Sequence, residues 1–150
     1  MQDSSETFPI VNSICLSHGT VECRAIKPSK RFYREFLGLI CVQHHQEAQL
    51  ITSPGYPWAI ACVQAGDSIH VQGRENRWSI ELATLEAVAA AHRTANTKRE
   101  EFDIRAIDDI SDQDGGRSFC LQDLDGNWWE IGYHPPGYFD RLFSEAKTAG

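Results

Sequence analysis

The sequence predicts an α+β fold of two repeated βαβββ modules that together form a cleft or half-barrel. Three observations predict it. Strand and helix patterns run in the order strand, helix, three strands, and then do so again. The second run follows the first at a nearly constant offset: shifting His18 by 59 lands on Arg77, and shifting Gly66 by 60 lands on Gly126. The chain, 150 residues with 41% hydrophobic and 10% aromatic, is also long enough to bury a core without disulfides or a structural metal.

Period-two alternation predicts strands over 17–24, 39–45, 57–63 and 67–72, and again over 77–83, 102–110, 117–121 and 127–133. A helix is expected over 28–37, with Pro28 at its start, Phe32, Phe36 and Leu37 on one face, and Gly38 just past its end. A second helix opens at the cap residue Thr84 and carries Leu85, Val88, Ala89 and Ala95 at helical spacing. Residues 73–76 join the modules, which are expected to span 17–72 and 77–133. Within them the turn at Gly66 overlies the turn at Gly126, and Glu130 overlies His70. A breaker, His134-Pro135-Pro136-Gly137, precedes a C-terminal tail over 134–150 whose amphipathic helix presents Phe139, Leu142 and Phe143. Residues 46–58 are expected to be a loop, suited to act as a lid.

Charge and cysteine usage narrow the function classes. Lys and Arg number 14 against 21 Asp and Glu, a net charge of −7, and no basic run is present. Nucleic acid is therefore excluded as a partner, because phosphate binding needs concentrated positive charge. Cys15, Cys23, Cys41, Cys62 and Cys120 have no CxxC spacing and are expected to be reduced. No apolar run approaches eighteen residues, and Met1 to Thr7 lacks the basic-then-apolar order of a secretory signal. A cytoplasmic protein without membrane contact is expected.

Alternation also sorts the candidate functional residues. In the first strand Val21 and Cys23 lie under the helix, leaving His18, Thr20 and Glu22 on the other face. In 77–83 the outward set is Arg77, Ser79 and Glu81, with Trp78, Ile80 and Leu82 assigned to the core. The last strand turns Trp128 and Glu130 outward and Trp129 and Ile131 inward, and 68–72 turns His70 outward.

The segments His18-Gly19-Thr20-Val21-Glu22-Cys23, Ser29-Lys30-Arg31-Phe32-Tyr33 and Phe36-Leu37-Gly38-Leu39 resemble the opening of the vicinal oxygen chelate superfamily. That superfamily comprises glyoxalases, extradiol dioxygenases and the bleomycin- and fosfomycin-resistance proteins. Gln122-Asp123-Leu124-Asp125-Gly126-Asn127-Trp128-Trp129-Glu130 is similar to its final hairpin. The resemblance implies metal ligands on the first strand of each module and often also on the last. His18 and Glu130 match two such positions, whereas Arg77 stands where a ligand is expected and has no lone pair to donate. With His70 placed by the repeat, the implied set is His18, His70 and Glu130 around a divalent metal, Fe, Mn or Zn.

The expected activity is a metal-dependent reaction on a small substrate chelated through two vicinal oxygens, with extradiol ring cleavage slightly favoured. Glu22 and Glu81 are candidate proton-transfer groups and equally ordinary rim charges. Arg77 and Trp128 are candidates to hold the substrate, by charge and by stacking. A homodimer is expected. Alternatives stay open: a metal-free binding protein of the bleomycin-resistance type, a glyoxalase-type isomerase, or a metal-free enzyme in which Arg77 neutralises Glu130. Asp123-Leu124-Asp125-Gly126 reads as a hairpin turn rather than a calcium loop, and His44-His45 as a solvent-facing strand end.

Overall fold

A computed structural model describes residues 9–55 and 58–148; Met1 to Thr7 and Pro57, on which two of the expectations above rest, lie outside the described residues. The first module contains β1 (His18–Cys23), α1 (Ile26–Arg31), β2 (Ile40–His45), β3 (Ala48–Thr52) and β4 (Ala59–Gln64). The second contains β5 (Arg77–Glu81), α2 (Leu85–Thr97), β6 (Ala106–Ile107), β7 (Ser111–Gln113), β8 (Gly116–Gln122) and β9 (Trp128–Tyr133). A last helix, α3 (Tyr138–Thr148), follows the Pro-Pro-Gly breaker and buries none of its residues. Each module folds its strands into one sheet, ordered β1-β4-β3-β2 and β5-β9-β8-β6, with β7 also paired to β8. In both, the first strand runs parallel to the last, because the intervening helix returns the chain across the sheet.

The helices form where the sequence places apolar residues a turn apart. Pro28 falls inside the first turn of α1, where its missing N–H leaves nothing unpaired, and the helix continues as a π-turn over Phe32–Phe36. α2 opens at Thr84, whose hydroxyl accepts the backbone N–H of Ala87 at 3.0 Å. Between the helices and sheets lies one core shared by both modules. Phe32 meets Phe102 with ring centroids 6.3 Å apart, and Tyr33 meets Trp129 edge-on at 5.6 Å. Each such fully buried aromatic contributes about 1.5–3 kcal/mol by leaving water.

The buried turn at Asp123–Asn127 fastens the modules together. One carboxylate oxygen of Asp123 accepts the backbone N–H groups of Asp125 (2.8 Å) and Asn127 (3.0 Å), and the other accepts the Trp129 indole N–H at 2.8 Å. Asp125 reaches the first module, accepting the Arg24 backbone N–H at 2.8 Å and the Ser29 hydroxyl at 2.5 Å. Gly126 supplies the positive φ of 87° that closes the hairpin. Both carboxylates are spent on protein donors, as a structural turn requires.

Three elements differ from expectation. The segment 46–58 contains β3, the second-to-last strand of the first sheet; the alternation there is obscured by Gln49, a polar residue that is nonetheless fully buried. The stretch 67–72 is not a strand but a 3-10 turn, Gly66–Ser68, followed by irregular chain. The predicted strand 102–110 shortens to β6, since residues 101–103 turn and Asp103 takes a positive φ of 52°.

These differences correct the repeat. The strand parallel to β1 is β4, so His18 pairs with Ala59 and Thr20 with Ala61, just as Arg77 pairs with Trp128 and Ser79 with Glu130. The counterpart of Glu130 is therefore Ala61, not His70, and the turns at Gly66 and Gly126 are unrelated.

Candidate functional site

The outward residues of the first strands form two separate clusters. Glu22 on β1 and Glu81 on β5 occupy matching positions, and each grips a histidine downstream of its module's last strand. Glu22 accepts the His70 backbone N–H at 2.7 Å and lies 3.1 Å from its Nδ1. Glu81 accepts the His134 backbone N–H at 2.5 Å and lies 2.8 Å from its Nδ1. A carboxylate only accepts, so in both pairs Nδ1 carries the proton. The His70 backbone N–H, aided by the ring, holds the Glu22 carboxyl below its ordinary pKa. These contacts tie the link between modules and the start of the tail to the sheets.

The second cluster lies on the outward face of β5, β9 and β8. Arg77 Nε donates to Glu130 Oε2 at 2.9 Å, with the two side chains 28% and 19% exposed, and Arg77 Nη1 lies 3.3 Å from Glu75. Glu130 raises the Arg77 pKa further above its already high value. Cys120, the cross-strand neighbour of Glu130, has its thiol pKa pushed up by burial. Trp128 is half-buried beside Arg77. His18 sits at the exposed start of β1, its Nδ1 3.0 Å from the Ser17 hydroxyl.

This arrangement does not fit the divalent metal that the resemblance implies. The four equivalent strand positions hold His18, Ala61, Arg77 and Glu130: one methyl group, one permanent cation, and one carboxylate already paired with that cation. His70 lies off these strand positions, on the irregular chain after β4. Among the described residues, no group of three or more His, Cys, Asp or Glu is placed to hold a metal ion.

A cavity of about 620 Å³ lies elsewhere, between the modules. It is bounded by Leu39, by Ile51 and Thr52 of β3, by Trp58 and Ile60, by the chain from Trp78 to Ala83, and by Trp129. Its volume falls in the range of small-molecule sites. Trp58 and Trp78, one from each module, stand with ring centroids 5.3 Å apart at 55°. Gly19 makes this possible, because a side-chain carbon there would overlap the Trp78 ring. Of the residues singled out from sequence, Glu81 lines the cavity; His18, Glu22, His70, Arg77, Trp128 and Glu130 do not.

No family model and no curated protein matches the chain. Solved structures do. A glyoxalase/bleomycin resistance protein/dioxygenase from Nocardioides matches with TM-score 0.57 and 14% identity, over 85% of this chain and 87% of that one. A fosfomycin resistance protein, FosX, from Listeria monocytogenes gives 0.62 and 15%, over 81% and 94%. TnmS3, an antibiotic binding protein from a Streptomyces species, gives 0.61 and 15%, over 83% and 99%. The chain has the glyoxalase/bleomycin resistance/dioxygenase fold. Within that glyoxalase-type fold, sequence reasoning missed Trp58 and Trp78 as cavity walls. Alternation placed Trp78 in the core, and it does turn inward; what alternation lacks is the gap between the modules, which depends on how the two sheets pack.

Proposed function

We propose that this chain is a small-molecule binding protein that holds a planar, largely apolar ligand in the cavity between its modules. The cavity itself carries the proposal: Trp58 and Trp78 from different modules, with Trp129, line a space of about 620 Å³ whose wall is otherwise aliphatic with a few polar groups. The outward strand face, where ring-cleavage or isomerase chemistry was expected, offers an ion pair instead of an open metal site. An antibiotic binding protein among the structural neighbours is consistent with this reading. A homodimer is part of the proposal, and Ile40, Val42 and Leu50, exposed on β2 and β3, are the surface it would cover.

Tryptophan fluorescence titration with a panel of planar aromatic compounds tests it. At least one compound should bind, and Trp78→Ala should weaken that binding about tenfold or more, as expected when a stacking surface worth roughly 1–3 kcal/mol is removed. Binding that is indifferent to both Trp58→Ala and Trp78→Ala would contradict the proposal.

A further inference from the structure

The cavity wall is uneven in charge. Its polar residues are Thr52, Ser53, Ser79 and Glu81, and no Lys, Arg or His lines it among the described residues. Glu81 is thus its one formally charged side chain, about half exposed. Although Glu81 contacts His134 through both oxygens, a carboxylate offers about four acceptor sites, so two contacts leave capacity for another donor. The indoles of Trp58 and Trp78 line the same cavity, and an aromatic ring accepts a cation more readily than an anion. The chain as a whole carries −7 and would attract a cationic molecule from a distance. An anion entering this space would meet a carboxylate and aromatic faces with no counter-charge, a costly burial.

We propose that the cavity selects ligands with an aromatic body and a protonated amine, the ring system against the paired indoles of Trp58 and Trp78 and the ammonium at Glu81. This rests on the binding-protein reading and deepens it. Glu81 lines the cavity at the end of β5 and is about half exposed, so a charged group beside it keeps part of its hydration.

The test uses the full chain and three probes sharing one tricyclic ring: 9-aminoacridine as the cation, 9-anthracenemethanol as the neutral form and 9-anthracenecarboxylate as the anion. Tryptophan quenching should show the cation binding at least about tenfold more tightly than the anion, with the neutral probe between them. Glu81→Gln should erase most of the cation's advantage while leaving the neutral probe within about twofold. His134→Ala, which frees the carboxylate without removing it, should preserve or increase the preference. In the unaltered chain the preference should shrink as sodium chloride is added, an arm that does not depend on any variant folding. Equal binding of all three probes, or a preference that survives Glu81→Gln, would overturn the charge selection and leave the cavity reading standing. Failure of every probe to bind would overturn both.

Discussion

Asp123 illustrates how one residue can serve the fold and still leave a measurable trace. Burial pushes its pKa up to about 7 from an ordinary 3.8, against the pull of the Trp129 indole and two backbone N–H groups. Between those values the folded state holds more protons than the unfolded chain, so this group's contribution to stability is fully present below 3.8 and is lost as pH rises to about 7. Glu22 acts oppositely: its lowered pKa gives stability above about 4.5 that is lost on further acidification. Asp123→Asn removes the first effect and puts an amide donor among donors, at a cost of about 1–3 kcal/mol. Urea unfolding of both proteins from pH 4 to 7 should show the unaltered chain losing stability relative to the variant as pH rises; parallel curves would refute the assignment. The same residue shows what was legible in sequence. The Asp-Gly turn was readable from local chemistry, whereas the reach of Asp125 to Ser29 and Arg24 was not, because those partners lie about a hundred positions away.

Elements were legible where their own periodicity dominated. The first strands of both modules, the last strand of the second and the helix opening at Thr84 follow from alternation, spacing and a cap, whereas 67–72, expected as the last strand of the first module, is irregular and β4 takes that place. β3 was hidden by Gln49, which lies opposite Cys62 in the sheet, fully buried and, among the described residues, with no nitrogen or oxygen partner for its amide. Losing that strand displaced the repeat, and the displaced repeat promoted His70 to a counterpart of Glu130. A buried amide with only the Cys62 thiol beside it recovers little of a desolvation cost of roughly 1–3 kcal/mol, so Gln49→Leu should keep β3 and raise stability by about 1 kcal/mol. The urea midpoint measures it. A drop of comparable size would mean that the amide has a favourable role in the core.

At the scale of the molecule, two half-sheets held by one aromatic core leave a gap that neither module contains alone. Sequence alternation sorted β1, β5 and most of β9 into inward and outward sets, yet it equated inward with packed. The space beside Trp78 is inward and open, since Gly19 lets the ring cross toward Trp58. A ligand in this gap lies against Trp58 and Trp78 and away from Arg77, Glu130 and Trp128. The chain has four tryptophans, divided between these places: Trp58, Trp78 and Trp129 line the cavity, and Trp128 does not. Titrating a bound planar ligand while following the four indole N–H signals by NMR, assigned by single substitution, reads the location directly. The account predicts large shifts for Trp58 and Trp78, a smaller one for Trp129, whose N–H is held by Asp123, and little change for Trp128. A dominant shift at Trp128 with Trp58 and Trp78 unmoved would place the ligand on the outward strand face and contradict it.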